Sequence, residues 1–239
     1  MSRFKTVLFD LDGTLLPING EAFEAIYFKG LSSYFNDKYE PKEFIKLIWT
    51  ATKAMVMDTS SKTNEQSFMD ALQSLVNEDI TWMQERFNQF YLNEFDQIKI
   101  AVTPNKSIQM AVKLLKEKGY QLVIATNPMF PKIAIEKRIE WTGCNRSDFD
   151  YVTSFEINHY CKPQLKFYEE VLNDLNLVAS ECLMVGNDIS EDMIVSKLNM
   201  STYLITNHIV QDMIIPESVN YSGNYDEFYQ FVQSLEPVI

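Results

Sequence analysis

The sequence predicts an α/β protein in which a doubly wound parallel sheet is interrupted by a long all-helical insertion. Three observations carry that reading. Val7-Leu8-Phe9 is an apolar run of strand type that stops at a carboxylate. A long stretch follows whose apolar residues recur only at helical spacing. Beyond it, short apolar runs alternate with amphipathic helices, the pattern of a parallel sheet covered on both faces.

The first strand runs into Asp10-Leu11-Asp12, and Gly13 and Thr14 then break it. The helical insertion is expected over residues 18–102. Its apolar positions are Phe23, Ile26, Tyr27, Leu31 and Tyr34, then Phe44, Leu47, Ile48 and Ala51. Phe68, Leu72, Leu75 and Val76 follow, and last Met83, Phe87, Phe90 and Tyr91. Cap-type residues near Asn36–Pro41, Asp58–Thr63 and Asn77–Asp79 divide the stretch into four helices, a small bundle. Most of its Met and aromatic residues, including Trp49, Met55, Met57, Phe68, Met69, Trp82 and Met83, are expected in the core of that bundle, with a few left to line a substrate face.

Residues 1–17 and 103–239 supply the sheet domain. Thr103 is expected to cap a helix with Pro104 at its first position, and that helix ends at Gly119. Strands are expected at Tyr120–Ala125, Tyr151–Phe155, Cys182–Val185 and Thr202–Ile205. Between and after them come helices at Phe130–Trp141, Pro163–Leu175, Glu191–Leu198 and Asn224–Leu235. Val7–Phe9 must join the same sheet, which makes a Rossmann-like α/β fold with the helices 18–102 inserted. Ligands of such folds sit beyond the carboxyl ends of the strands.

Composition narrows the function. Hydrophobic residues are 46% of the chain, enough for a folded core. A formal net charge of −12 without a basic block disfavours nucleic acid and anionic membranes as partners. Arg3 and Lys5 lead directly into the first strand, leaving no room for a signal-peptide core. Cys144, Cys161 and Cys182 are scattered and read as reduced, buried thiols, so a cytoplasmic protein is expected. The oligomeric state is not legible.

The chemistry concentrates at the strand ends. Residues i and i+2 of a strand share a face, so Asp10 and Asp12 point into one site if the extended geometry persists. Two carboxylates there are costly unless a cation or a reaction uses them. Thr126-Asn127-Pro128 ends another strand with a hydroxyl and turn N–H groups that suit a phosphate oxygen. Lys162 stands just before Pro163 and a helix, and Gly186-Asn187-Asp188 with Asp192 closes a further strand. The sparse histidines, His159 and His208, show no metal-like spacing.

These four stretches, in this order, resemble the four signatures of the haloacid dehalogenase (HAD) superfamily. Asp10-Leu11-Asp12-Gly13-Thr14-Leu15 matches the first without a mismatch. Gln164 and Leu165 depart from the acidic residue and second proline that often follow the lysine. Asn187 stands where many relatives carry Asp, with Asp188 one place later.

The resemblance implies that Asp10 is the nucleophile forming an aspartyl-phosphate, and that Asp12 is the acid/base. Thr126, Asn127 and Lys162 would bind the substrate phosphate, with Thr126 and Lys162 counted as catalytic. Mg²⁺ is the implied cofactor, held at Asp10, Asp12 and Asp188, while Asp192 orients Lys162 or the metal's waters; Asn187 is the alternative to Asp188. Asp12 argues for a phosphatase rather than a dehalogenase, because dehalogenase relatives lack an acid/base there.

The insertion resembles the C1-type cap that closes over the site, with hinges near Pro17, Asn19 and Gly20 and near Thr103–Pro104. The expected activity is Mg²⁺-dependent hydrolysis of a small phosphorylated metabolite: a nucleotide, sugar or polyol phosphate. A phosphomutase uses the same residues, and a regulatory module with weak catalysis is the reading outside enzymes.

Overall fold

The computed structural model describes residues 4–210 and 214–238, so Arg3 lies outside the described residues. Among these, six strands form one parallel sheet: β1 (Thr6–Phe9), β2 (Gln121–Ile124), β3 (Tyr151–Val152), β4 (Cys182–Gly186), β5 (Ser201–Ile205) and β6 (Tyr221–Gly223). Their order is β3-β2-β1-β4-β5-β6, so the chain winds outward from β1 in both directions. Phe9 pairs with Ile124 on one side and Val185 on the other, which places β1 at the centre. The ligand crevice of a sheet wound this way lies at the carboxyl end of that strand.

Alternation along β1 builds the two layers. Val7 and Phe9 enter one core with Ile108 and Val112 of α5 (Lys106–Glu117) and Phe228 of α8 (Tyr225–Ser234). Leu8 enters the other core with Phe167, Tyr168 and Val171 of α7 (Leu165–Asp174). Both faces being apolar is what a parallel strand covered on two sides requires.

Four helices lie between β1 and β2 in sequence: α1 (Gly20–Ser33), α2 (Pro41–Met57), α3 (Asn64–Leu75) and α4 (Thr81–Asn93). A 3-10 segment at Phe95–Ala101 leads back to the sheet. Tyr27 packs edge-on against Phe90 and Phe95, and Phe95 stacks on Trp141 of α6 (Lys132–Trp141) at 5.4 Å. Met55 and Met83 are buried as expected, but Trp49 and Met57 are 50% and 71% exposed. Trp49 lies at the edge of the bundle, 5.5 Å from Phe28 of α1 and otherwise half open to solvent.

Several boundaries differ from the sequence reading for identifiable reasons. Thr103 does not cap α5; its N–H donates to the Pro17 carbonyl, and Asn105 caps the helix at the Ser107 and Ile108 N–H groups. The two crossings between helices and sheet therefore run side by side, with an antiparallel bridge between Ile18 and Val102. β3 stops at Val152 because Thr153 and Ser154 turn away, the Thr153 hydroxyl donating to the Thr126 carbonyl. Glu191–Leu198 is a turn followed by a 3-10 helix at Met193–Leu198, since side chains take the backbone N–H groups there. β6, Tyr221-Ser222-Gly223, has no apolar run to announce it.

Candidate active site

The site begins where β1 ends. Asp10 N–H donates to the Val185 carbonyl, holding Asp10 at the carboxyl edge of the sheet between β2 and β4. Gly13 then takes a φ of +81°, and a Cβ there would lie 2.4 Å from Asn187 Nδ2. Only glycine tolerates both conditions, so the loop turns back against the end of β4. Thr14 Oγ1 donates to Asn187 Oδ1 at 2.9 Å, and Asn187 Nδ2 donates to the His208 carbonyl at 2.7 Å. Asn187 thus stitches three loops together with both ends of its amide.

Lys162 crosses to this strand end from the loop before α7. Its ammonium donates to Asp10 Oδ1 at 2.8 Å and to Asp192 Oδ1 at 2.6 Å, with all three side chains nearly out of solvent. The other oxygen of Asp192 accepts from the N–H groups of Asn187 and Asp188 at 3.1 and 3.0 Å. Gly186 makes room for this: a Cβ at that position would sit 2.2 Å from Asp192 Oδ2. Burial raises the Asp10 carboxyl, against the pull of Lys162. Burial likewise pushes Asp192 up to about 6, again opposed by Lys162. Burial would depress the Lys162 ammonium, but Asp10 and Asp192 outweigh it and hold it well above the usual lysine range.

Thr126 and Asn127 arrive at the end of β2, one residue beyond Ala125, whose N–H donates to Phe9 O. Asn127 Oδ1 accepts from Lys162 N–H at 3.2 Å, and its amide donates to Glu191 Oε2 at 3.2 Å. The side chain expected on phosphate therefore also anchors the loop that carries Lys162. Asp188 Oδ1 accepts from Ser190 N–H, Ser190 Oγ and Glu191 N–H, shaping its own turn.

A residue the sequence reading passed over completes the site. Arg138, on α6, is almost fully buried and donates through Nη1 to Asp12 Oδ2. Its guanidinium lies 4.6 Å from the Phe130 ring centre. Among the described residues, Arg138 Nη2 and Asp12 Oδ1 are buried with no hydrogen-bond partner. The signal was available, because Ala134, Ile135 and Ile139 make the buried face of α6 and Arg138 falls on that face at i+4 and i+3. Glu191 was passed over too; burial raises its carboxyl.

Asp10, Asp12, Thr126, Asn127, Asp188 and Asp192 line one cavity of about 170 Å³, with Arg138 and Glu191 among its other walls; Lys162 is not in its lining and reaches it through its bonds to Asp10 and Asp192. Among the described residues no ready-made cage of three or more Asp, Glu, His or Cys side chains is gathered. Mg²⁺ does not need one: it takes one or two carboxylates and fills its shell with water and substrate phosphate. The carboxylate oxygens of Asp10 and Asp188 on this cavity fit a hard cation of this kind.

Comparison with known proteins agrees with the geometry. A sequence model of haloacid dehalogenase-like hydrolases matches residues 4–196. Pyrophosphatase PpaX of Bacillus cereus (strain Q1) is 27% identical over 186 residues, covering 78% of this chain and 76% of the relative. A predicted phosphoglycolate phosphatase from Haemophilus somnus 129PT superposes with a TM-score of 0.60 at 16% identity, covering 98% of this chain and all (100%) of that one. The putative hydrolase YfnB from Bacillus subtilis, bound to magnesium, gives 0.58 at 16% identity, covering 97% and 99%. The chain belongs to the haloacid dehalogenase-like hydrolase family.

Proposed function

We propose that the chain is a Mg²⁺-dependent phosphatase that hydrolyses a small phosphorylated metabolite (a nucleotide, sugar or polyol phosphate) through an aspartyl-phosphate. The observation that carries the reading is the buried Asp10–Lys162–Asp192 row at the end of β1. Asp10 Oδ is the nucleophile: it bonds to phosphorus as the ester oxygen leaves with its electron pair. Lys162 offsets the repulsion between that carboxylate and the anionic phosphoryl group, and Asp192 fixes the ammonium. Asp12 gives a proton to the departing oxygen and takes one from the water that then hydrolyses the acyl phosphate. Thr126 and the turn at Asn127 hold a phosphoryl oxygen.

Asp10 and Asp188 would hold Mg²⁺ through their side chains and Asp12 through its backbone carbonyl, and the ion would supply charge neutralisation on the phosphoryl oxygens when bound. Residues 18–102 act as a cap over a core of residues 1–17 and 103–239, and the paired crossings at Ile18 and Val102 support a hinge there. Three buried free thiols support a reducing, cytoplasmic setting, and no helix among the described residues is long and apolar enough to cross a membrane.

The test is phosphate release from a panel of phosphorylated metabolites with Mg²⁺ or EDTA, on wild type and Asp10→Asn. Loss of at least about a thousandfold in the variant, and in EDTA, is expected. Retained turnover in Asp10→Asn contradicts the mechanism. Isomerised sugar phosphate with little free phosphate would mark a phosphomutase instead.

A further inference from the structure

A second cavity adjoins the catalytic one. It measures about 240 Å³ and opens between α1, α2 and the segment after Thr126, lined chiefly by Phe23, Tyr27, Phe28, Trp49, Met129 and Phe130. Met129 and Phe130 are also walls of the catalytic cavity, so the two meet across that pair. Their volumes together fall within the roughly 300–1,000 Å³ of small-molecule sites.

The walls of the second cavity are of one chemical kind. Aromatic faces dominate, and the Tyr27 hydroxyl is tied to the Tyr91 hydroxyl at 2.9 Å, which leaves its ring as the lining surface. Phe23 and Tyr27 pack edge-on against Phe130 at 5.9 and 5.5 Å, which fixes that wall. Trp49, 50% exposed and 5.5 Å from Phe28, presents a large apolar ring at the mouth. An exposed ring beside a preformed cavity gains stability when another ring covers it.

Charge decides what the occupant is not. Among the described residues neither Lys nor Arg lines this cavity, and its charged lining residue is Glu24. The neighbouring cavity adds Asp10, Asp12, Asp188, Glu191 and Asp192 against Arg138, whose Nη1 is paired with Asp12 and whose Nη2 has no partner among the described residues. A leaving group carrying a second anion would enter next to Glu24 and these carboxylates, with the free Nη2 of Arg138 set against five acidic side chains, and a poorly compensated buried charge is costly.

We propose that this cavity receives the alcohol part of the phosphate ester, and that this part carries an uncharged, flat aromatic or heteroaromatic ring. The inference rests on the phosphatase reading and makes its substrate class specific. It separates this chain from a preference for pyrophosphate or phosphoglycolate, the substrates in the names of two proteins it resembles.

The experiment compares kcat/KM for phenyl phosphate and adenosine 5′-monophosphate with that for pyrophosphate, phosphoglycolate and glycerol phosphate. Acetyl phosphate, too small to reach the second cavity, is the internal standard. At least one ring-bearing ester is expected to exceed every ring-free one by tenfold or more, and which of the two does so tells an aryl from a nucleoside ring. Trp49→Ala is expected to lower the ratio of ring-bearing to acetyl phosphate kcat/KM by about tenfold, the scale of one aromatic contact. Because Trp49 is half exposed, the variant is expected to keep the melting temperature of wild type.

Equal or better turnover of the anionic substrates overturns the proposal, as does a ratio unmoved by Trp49→Ala. If no ester is turned over, the phosphatase reading fails on its own. Calorimetric binding to Asp10→Asn then decides the substrate class: the ring-bearing esters must bind at least tenfold more tightly than pyrophosphate and phosphoglycolate.

Discussion

Two ion-paired groups flank the catalytic cavity, and they are built differently. On the β4 side, Lys162 has two carboxylate partners, and Asp192 uses its second oxygen on two backbone N–H groups. On the α6 side, Arg138 and Asp12 meet through one nitrogen and one oxygen, and each keeps one buried atom without a partner. A saturated network holds one arrangement, whereas a half-satisfied one has atoms left for a ligand. The nucleophile thus sits in the rigid half of the site and the acid/base in the half that has to respond to substrate.

The largest effect expected from breaking this contrast is at Lys162. Lys162→Met leaves Asp10 and Asp192 buried without their cation, so stability should fall by about 3–5 kcal/mol. Phosphate release should fall by about a thousandfold or more. Urea unfolding and the phosphate assay check both, and a stable, active variant would show that the row is not the centre of the site. Gly186→Ala attacks the same half through space alone. The new Cβ overlaps the Asp192 carboxylate, so a loss of about 2–4 kcal/mol and displacement of Lys162 are expected.

The α6 half should break more gently in stability than in rate. Arg138→Met is expected to reduce kcat about a hundredfold, on the scale of general acid–base catalysis. Arg138→Lys should recover part of it, because an ammonium restores the charge without the planar fork. Guanidinium ion added to Arg138→Ala should also restore some turnover, whereas a purely structural arginine would give no rescue.

The smallest effect is in pH. Asp192, pushed up to about 6 by burial against the pull of Lys162, binds its proton more tightly folded than unfolded, where its ordinary value is 3.8. Its contribution is therefore fully present below pH 3.8 and lost as pH rises through about 6. Melting temperatures in EDTA should show wild type losing more stability than Asp192→Asn between those limits. A difference that stays flat would mean that burial does not raise this carboxyl.

How much of this was legible in the sequence follows from how each residue is held. Asp10 and Asp12 stand at a strand end that local periodicity predicts, whereas Thr126 and Lys162 are legible as site residues only through the order of the four motifs. Asp192 falls in the helix that the sequence predicts at Glu191–Leu198, but the Asp188 and Asp192 carboxylates take the N–H groups that would start it, and a turn forms. Arg138 was missed because a charged residue on a helix is usually solvated, though its spacing from Ala134, Ile135 and Ile139 marked the buried face. Trp49 misled in the opposite sense, since helical spacing alone does not say which apolar face a neighbour covers. Asn127 lines the cavity at the end of β2, and its bonds to Lys162 and Glu191 are contacts between residues far apart in sequence, beyond the reach of any local pattern.

The most direct measurement is to trap the intermediate. Wild type mixed with acetyl phosphate and Mg²⁺, quenched in acid and digested, should yield the peptide containing Asp10 heavier by one phosphoryl group. Lys162→Met and Asp10→Asn should yield none. Phosphate released steadily with no phosphoryl group on that peptide, or with the group on another residue, would contradict the assignment of Asp10 as nucleophile.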